Sequence, residues 1–425
     1  MNKNRLSIVI LIALIIMLIP VAGSYAAEAK PIIIARIDLY SGPPAFLCAE
    51  AKKQIEMMAE EINKAGGLLG RPLKFLYRDV KNPEEAVRAA RDMVTIDKVD
   101  VIMAAYSSAI VMALTDFAKQ NKVLLMAHAG KSSRLTEELF HPYVFRTDNN
   151  TVMIGRTAAQ FWSDRKLPYK KIITMGSDYE YGHKAIEEFL ARLSVLVPDV
   201  KVIDQLWPPF ANKDYAPYVA KVVGAKPDCL YTELWGSDFA NFVKSGNAMN
   251  LWKQVPVVAN HSYMADFVKP LGKQAPEGIW ASTDPVWYFP DRPRDRAFIE
   301  KFESRFGHKP GSGPYIEGKA VMFLVEAIKK AGSTDAEKII KALEGLKLDI
   351  PAQGPTLMRA YDHQASTGMV WGKTAWSDKY NTSWLVDCTY YPGDRFWHTE
   401  PEIKAIREKA GNKFLELTPD GHWIR

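Results

Sequence analysis

The chain alternates short, continuous apolar segments with segments of helical periodicity, and this alternation constrains the fold more than any other feature. Between the apolar segments, hydrophobic residues recur three or four positions apart, as at Ala51, Ile55, Met58 and Ile62. Strands that are apolar throughout are buried on both faces, as in parallel sheets covered by helices. The sequence therefore predicts an α/β fold of doubly wound parallel sheets. The predicted strands are residues 32–39, 73–78, 99–105, 123–127, 172–176, 200–206, 229–234 and 255–260.

The pattern changes from about residue 351, where Pro, Gly, Asp and aromatic residues become frequent. Residues 371–386 alternate between apolar and polar side chains, which indicates antiparallel strands. A capped helix is predicted over 400–410, ending before Gly411. We interpret this part of the chain as an appendage packed on one lobe.

The first residues have the pattern of an export signal. Lys3 and Arg5 precede an apolar run over 6–19, and Ser24 and Ala26 supply small residues at the spacing of a cleavage site. The run is shorter than the roughly 20 residues that a membrane-spanning helix needs. The sequence predicts a cleaved signal peptide over 1–26 and a periplasmic protein, with an uncleaved anchor as the alternative.

Length and charge limit the classes of function. The chain has 425 residues, more than one hydrophobic core usually supports, so two lobes are expected. The net charge of +6 falls to +4 without Lys3 and Arg5, because residues 1–26 contain no acid. The remaining charges are mixed along the chain, which argues against a nucleic-acid partner.

No sequence pattern indicates a metal, a cofactor or a catalytic centre. The separations of Cys48, Cys229 and Cys388 match no zinc or redox motif. The segment 368–374 has only three residues between its glycines, where a phosphate-binding loop needs four. A hydrolytic enzyme, with an acid/base set drawn from residues such as Asp178 and His363, is the alternative from another class. We predict a binding protein that is not an enzyme and has no cofactor.

Polar and aromatic side chains collect where the predicted strands end. Tyr106 and Ser107 follow one strand, His128 and Ser132 follow the next, and Tyr181 comes soon after a later one. Directed hydrogen bonds within apolar walls are what a small-molecule site needs. Any one of the serines is equally well explained as a helix N-cap. Together the strand ends predict a ligand cleft.

In this order and spacing, several motifs carry a resemblance to a known family. The mature chain resembles the periplasmic solute-binding proteins of type I fold, in the branched-chain amino acid (leucine/isoleucine/valine) receptor family of ABC importers. The motifs are Leu39-Tyr-Ser-Gly-Pro43, Ile62-Asn-Lys-Ala-Gly-Gly67, Gly70-Arg-Pro-Leu73, Tyr106-Ser-Ser108, Gly130-Lys-Ser-Ser133 with Leu135-Thr136, Arg146-Thr147, Asp178-Tyr-Glu-Tyr-Gly182 and Asp362-His-Gln364.

The resemblance implies two α/β lobes joined by three crossovers, with the ligand in the cleft between them. It implies residues 27–147 plus 279–352 in lobe 1, and residues 148–278 plus 353–425 in lobe 2. It also implies a monomer that closes by hinge motion on a solute and delivers it to the permease and ATPase subunits of a membrane importer. A stand-alone sensor module is a further alternative.

The resemblance also implies roles for individual residues. Ser107, Gly130 and Ser132 would bind the carboxylate of the solute from the first lobe. Further ligand-binding positions are predicted on both sides of the cleft, at Leu47, Tyr106, Tyr181, Trp235, His261 and Tyr315.

One departure from the family pattern concerns the solute. Amino-acid receptors place an acidic residue after the strand predicted over 255–260, to pair with the ammonium group of the ligand. Here the chain reads Asn260-His261-Ser262-Tyr263. A buried ammonium without an acidic partner is unfavourable. We expect a small carboxylate-bearing solute, either a branched-chain or other amino acid, or an aromatic carboxylate or small amide that lacks the amine.

Overall fold

Two parallel sheets organise the computed structural model, which describes residues 29–42, 44–419 and 423–424. The predicted signal peptide over 1–26 lies outside the described residues. Within them, no helix combines the length and the apolar character needed to cross a membrane. We call the five-stranded sheet and its helices the first lobe, and the seven-stranded sheet and its helices the second lobe.

The first sheet is parallel throughout and has the strand order β2-β1-β3-β4-β5. Its strands are β1 (Ile32–Asp38), β2 (Leu73–Asp79), β3 (Val101–Ala104), β4 (Leu124–Ala127) and β5 (Val144–Arg146). Helices of the first lobe are α1 (Ala45–Lys64), α2 (Pro83–Thr95), α3 (Ser108–Asn121), α10 (Pro293–Phe306), α11 (Ser312–Ala331) and α12 (Ala336–Leu343).

The second sheet has the order β14-β13-β10-β9-β8-β6-β7, parallel from β7 to β10, with β13 and β14 added antiparallel. Its strands are β6 (Lys171–Met175), β7 (Lys201–Leu206), β8 (Cys229–Thr232), β9 (Val257–Ala259), β10 (Trp280–Thr283), β13 (Met369–Ser377) and β14 (Thr382–Tyr391). Helices of the second lobe are α4 (Thr151–Asp164), α5 (Glu180–Leu196), α6 (Ala216–Ala225), α7 (Gly236–Ala248), α8 (Leu251–Gln254) and α9 (Ala265–Val268).

Burial explains why the strands are apolar along their whole length. Every residue of β3 and β4 is buried, because α1, α11 and α12 cover one face of the first sheet while α2 and α3 cover the other. The predicted doubly wound α/β architecture is confirmed. Strands β5 and β10 were not predicted, because Arg146 in β5 and Ser282 and Thr283 in β10 interrupt the apolar run by which the other short strands were recognised.

The chain crosses between the lobes three times, as predicted. It leaves the first sheet after β5, returns to the first lobe after β10, and enters the second sheet again before β13. Between the last two crossings, β11 (Lys347–Ile350) and β12 (Gly354–Leu357) form a separate antiparallel pair.

Two segments lie in a different lobe from the one predicted for them. Residue 279 was the predicted return to lobe 1, but residues 280–283 form β10 in the second sheet, so the return comes after them. Residues 353–365 were assigned to lobe 2, yet Met358 and Ala365 pack in the core of the first lobe. Strand pairing and core packing decide these assignments, and neither is visible in a local sequence pattern.

The C-terminal helix α13 (Glu400–Lys409) was also assigned to lobe 2, and it contacts both lobes rather than one. The Arg407 guanidinium donates to the Thr136 carbonyl and lies 3.9 Å from the Phe140 ring in the first lobe. On the other side, Arg156 of α4 donates to Glu402 at 3.1 Å. This helix of the predicted appendage therefore connects the two lobes.

Two glycines in helices of the second lobe differ in how closely other atoms approach them. A methyl group at Gly155 of α4 would lie 2.7 Å from the Glu188 Cβ of α5, whereas one at Gly224 of α6 would meet no atom within 4 Å. We expect Gly155→Ala to lower the free energy of unfolding by about 1–3 kcal/mol. Gly224→Ala should raise it by about 0.5–1 kcal/mol, because alanine favours a helix. Chemical denaturation measures both, and equal effects would contradict this account.

A candidate binding site between the lobes

A narrow cavity of about 20 Å³, with room for about one water molecule, lies between the lobes. Loops that follow the parallel strands of both sheets form its walls, as expected where the carboxyl ends of strands meet. Its lining residues are nearly all buried. They are Leu47, Tyr106, Ala129, Lys131, Tyr179, Tyr181, Trp235, His261, Met264, Asp284 and Ile316.

A buried group of charges lies behind the wall from the first lobe. The Asp38 carboxylate, at the end of β1, accepts from the backbone N–H groups of Leu39 and Tyr106 and lies 3.1 Å from His128 Nε2. Arg36 pairs with Asp38 at 2.7 Å and with Glu317 of α11. Burial alone would raise the pKa of Asp38, but the Arg36 charge and the bond to His128 lower it to about 2. These bonds fix the loops after β1, β3 and β4 relative to one another.

This charged group and its neighbour Cys48 include residue types that can bind a metal ion. Asp38, Cys48 and Glu317 place three potential ligand atoms close together, all buried. Arg36 already pairs with both carboxylates, and burial raises the pKa of the Cys48 thiol well above its ordinary value. A positive guanidinium at this position disfavours a cation, so we assign the group a structural role.

Asp284 follows β10 and connects the two lobes across the cavity. Its carboxylate lies 2.9 Å from His261 Nε2 of the second lobe and 3.3 Å from Lys131 Nζ of the first. Asn149 donates to it as well, at 3.0 Å. Burial alone would raise the pKa of Asp284, but the Lys131 and His261 charges outweigh it and hold this pKa well below its usual range.

The Lys131 ammonium is saturated by protein groups. It donates to Asp148 at 2.5 Å, to Asn149 at 2.7 Å and to Asp284. An ammonium has three N–H donors. Asp148 in turn accepts from Lys319 of α11 at 3.0 Å. Lys131 therefore has no N–H group left for a ligand, and its charge is compensated by Asp148 and Asp284.

A second carboxylate, Glu233, lies behind the opposite wall. It is fully buried and accepts from the hydroxyls of Tyr231 and Tyr181 and from the Asn260 amide at 2.7 Å. Burial raises its pKa to about 7, although these three donors act in the opposite direction. The Tyr181 hydroxyl also lies 3.0 Å from His261 Nδ1.

The loop after β4 contributes Ala129 and Lys131 to the wall of the cavity from the first lobe. The Arg146 guanidinium binds the carbonyls of Gly130 and Ser132, at 3.3 and 2.5 Å. In a trans peptide the N–H points away from the preceding carbonyl, so the Lys131 N–H points away from Arg146. Within the part of the chain that the structure describes, the N–H groups of Ala129, Gly130 and Lys131 donate to no protein acceptor.

Five of the predicted site residues line the cavity. Leu47 and Tyr106 contribute from the first lobe, and Tyr181, Trp235 and His261 contribute from the second. All five are buried, with exposures of 6% or less. These residues lie up to 214 positions apart in the sequence, and they meet because the ends of strands from both sheets converge at the cavity.

The other four predicted residues lie outside the lining. Ser107 occupies the N-cap position of α3 without a capping bond, and Gly130 adopts the left-handed conformation at φ 65° beside Val111. The Ser132 hydroxyl donates to Glu180 of α5 at 2.7 Å, across the cleft. Tyr315 packs against Phe298 of α10, and its neighbour Ile316 takes the place at the cavity.

Several lining residues were not predicted. Asp284 was not predicted, because strand β10, which it directly follows, was not predicted either. Lys131 lies between two predicted residues and reads as a surface lysine in sequence. Tyr179 carried a usable signal, since it shares with Tyr181 the loop and helix start after β6. Ala129, Met264 and Ile316 are small or apolar and carry no signal of function.

Comparisons with known proteins agree with this architecture. The sequence model of the family described as periplasmic binding protein matches residues 31–377. The Leu/Ile/Val-binding protein homolog 4 of Brucella abortus (strain 2308) is 26% identical over 370 residues, covering 82% of this chain and 85% of its own.

Two solved structures have the same fold. The solute binding protein of an ABC transporter from Rhodopseudomonas palustris BisB5, in complex with 3,4-dihydroxy benzoic acid, has a TM-score of 0.77 at 22% identity. It covers 85% of this chain and 98% of its own. The closed leucine-, isoleucine-, valine-, threonine-, and alanine-binding protein from Brucella ovis has a TM-score of 0.74 at 23% identity, with coverages of 87% and 97%.

The raised pKa of Glu233 predicts a pH-dependent effect on stability. Since the folded-state pKa of about 7 exceeds the ordinary value of 4.5, the folded protein retains a proton that the unfolded chain loses between these values. The contribution of Glu233 to stability therefore falls as the pH rises through this window. We expect Glu233→Gln to gain about 2 kcal/mol relative to wild type between pH 5 and pH 8. Urea denaturation at both pH values measures this, and a constant difference would contradict it.

Proposed function

The chain belongs to the periplasmic binding protein family, and we propose that it is the receptor of an ABC importer for a small aromatic carboxylate. One observation carries this proposal. The cavity is lined by aromatic side chains of the second lobe and by the loop after β4, where the N–H groups of Ala129, Gly130 and Lys131 donate to no acceptor among the described residues. Asp284, the carboxylate in its described lining, is already paired with Lys131 and His261.

The anionic end of the solute fits the loop after β4. Gly130 and Lys131 provide N–H groups without protein acceptors, and a buried N–H group is unfavourable until it is paired. Hydrogen bonds to a charged acceptor are about twice as strong as neutral ones. A carboxylate bound here satisfies the donors that the protein leaves open.

The facing wall suits a flat ring. Trp235 Nε1 donates to the Tyr179 hydroxyl at 2.8 Å, which fixes both rings. Tyr181 lies edge-on to Trp235 with the ring centroids 6.4 Å apart. Leu47, Met264 and Ile316 complete an apolar lining that a ring would contact. Rings of this kind stabilise an aromatic partner by about 0.5–1.5 kcal/mol beyond burial of area.

Among the described residues of the lining, an α-amino group meets no carboxylate that is free of other partners. Asp284 already binds Lys131, His261 and Asn149, and Glu233 is occupied by its own three donors. Binding a second cation would require one of these buried ion pairs to open, which costs several kcal/mol. The arrangement therefore favours the aromatic carboxylate over the amino acid, which was the other solute class expected from the sequence.

The relatives support a carboxylate without deciding its class. The Rhodopseudomonas protein holds 3,4-dihydroxy benzoic acid, and the Brucella proteins are named for leucine, isoleucine and valine. All of these named ligands carry a carboxylate. In our proposal, the aromatic wall of this chain and its already paired carboxylates, Asp284 and Glu233, favour an aromatic carboxylate over an amino acid.

Transport requires the lobes to enclose the solute and present it to a membrane permease with its ATPase. In this structure the lobes are in contact around the cavity, through Ser132 and Glu180 on one side and through the apolar residues of both walls. Ligand contacts to both lobes shift such an equilibrium toward closure. We propose an exported monomer that acts in this way and catalyses no reaction.

A thermal-shift panel tests the solute class. We expect benzoate to raise the melting temperature, because it supplies both the carboxylate and the ring. At 100 times its dissociation constant a ligand stabilises the folded state by about 2.7 kcal/mol. Leucine, cyclohexanecarboxylate and benzamide serve as matched controls, which lack the ring, the aromaticity and the charge respectively. Stabilisation by leucine with none by benzoate would overturn the solute class, and no stabilisation by any carboxylate would overturn the receptor itself.

A tryptophan substitution tests the aromatic wall. We expect Trp235→Leu to weaken benzoate binding by about tenfold, because it removes an aromatic contact worth roughly 0.5–1.5 kcal/mol and part of the buried area. The control is Trp252→Leu in α8, which packs in the second lobe away from the cavity. Isothermal titration measures both affinities. An equal loss in the two variants would mean that the effect is one of folding.

A further inference from the structure

A carboxylate of the second lobe lies on the first turn of a helix in the first lobe. Asp266 belongs to α9, which lies between β9 and β10 of the second sheet. Its Oδ2 atom accepts from the Ser312 N–H of α11 at 2.6 Å. Asp266 is two residues after the cavity residue Met264, and Ser312 is four before the cavity residue Ile316. The contact therefore joins the two walls of the site.

Among the described residues, no side chain other than that of Asp266 caps helix α11. Its N-cap residue is Gly311, which has no side chain to accept a hydrogen bond. The first N–H groups of a helix lack partners within the helix, and they favour a negative charge nearby. The Asp266 carboxyl of the opposite lobe faces the N–H groups of both Ser312 and Gly313. Burial raises the pKa of this carboxyl to about 7, although these N–H groups lower it.

The burial of Asp266 depends on its contact with helix α11. The residue is 8% exposed, and its Oδ1 atom is buried without a hydrogen-bond partner among the described residues. A buried carboxylate is unfavourable unless hydrogen bonds or charges compensate it. Moving the lobes apart would leave the first turn of α11 uncapped and would return Asp266 to water.

Gly311 shows how close this approach is. A methyl group at residue 311 would overlap the Asp266 carboxylate. The backbone of Gly311 is at φ −77°, which any residue adopts, so the space and not the conformation requires glycine here. On this flank the lobes are otherwise separated by a hollow whose walls include Phe46, Trp287 and Lys309.

We propose that Asp266 is a positioning residue for solute binding, because its carboxylate caps α11 across the cleft and thereby stabilises the closed arrangement of the lobes. The inference rests on the proposed function, since closure matters to a protein that encloses a solute. Asp266 does not line the cavity, and its effect on affinity acts through the equilibrium between open and closed lobes.

The test uses the full mature chain and two kinds of measurement. Hydrogen exchange of a peptide that covers residues 311–316, together with the radius of gyration from X-ray scattering, reports the cap and the closure without any solute. We expect Asp266→Ala to speed the exchange and to increase the radius of gyration. Titration with benzoate should then show an affinity about three- to tenfold weaker, as expected from the loss of one cap. Asp266→Asn keeps an acceptor and should restore most of the effect.

Two further variants separate this role from general destabilisation. Asp335→Ala removes the N-cap of α12, where the carboxylate accepts from the Lys338 N–H within one lobe, so it should lower stability and leave affinity unchanged. Gly311→Ala should weaken benzoate binding in the wild type but add nothing in Asp266→Ala, since the group it displaces is then absent.

Each outcome decides the proposal. Unchanged exchange and unchanged scattering in Asp266→Ala would overturn it, as would faster exchange without any change in scattering or affinity. If benzoate does not bind even to the wild type, the proposed solute is wrong, while exchange and scattering still decide whether Asp266 holds the lobes together.

Discussion

Asp284 binds one basic side chain from each lobe, and the arrangement of the cleft depends on this buried carboxylate. Lys131 reaches it from the first sheet and His261 from the second, at the place where the chain passes from one lobe to the other. Buried charges are unfavourable singly and become acceptable only when geometry and hydrogen bonds are complete. The network continues through Asp148 to Lys319 of α11. Removing any member leaves an uncompensated charge, so these groups fix how the two walls of the cavity face each other.

The same network determines what the cavity can bind. Protein groups occupy the acids and the lysine ammonium, so a solute meets backbone N–H groups, rings and apolar side chains instead. Arg146 orients the loop after β4 by binding its carbonyls, which leaves the Lys131 N–H pointing away from it. The selectivity we propose therefore follows from charges that are already paired. Asp266 adds a contact outside the cavity that favours the closed lobes.

The sequence predicted the architecture well because periodicity and burial are local properties. Strands such as β3 and β4 are apolar over their length, and their ends carry the loops that meet in the cleft. It predicted five lining residues, among them Tyr181 and His261. It did not reveal that Asp284 would pair with His261 and Lys131, because Ser282 and Thr283 interrupt the apolar pattern of β10 and the pairing spans two lobes. Ser132 was assigned to the solute, yet its partner Glu180 lies on the facing lobe, a relation set by tertiary structure alone.

A crystal structure of the protein with benzoate tests the central claim most directly. The account predicts the carboxylate within hydrogen-bonding distance of the Gly130 and Lys131 N–H groups. It also predicts the ring against Tyr181 and Trp235, with Asp284 still bound to Lys131 and His261. Benzoate bound with its carboxylate toward Glu233, or bound in the outer hollow beside Trp287 with the cavity empty, would contradict it.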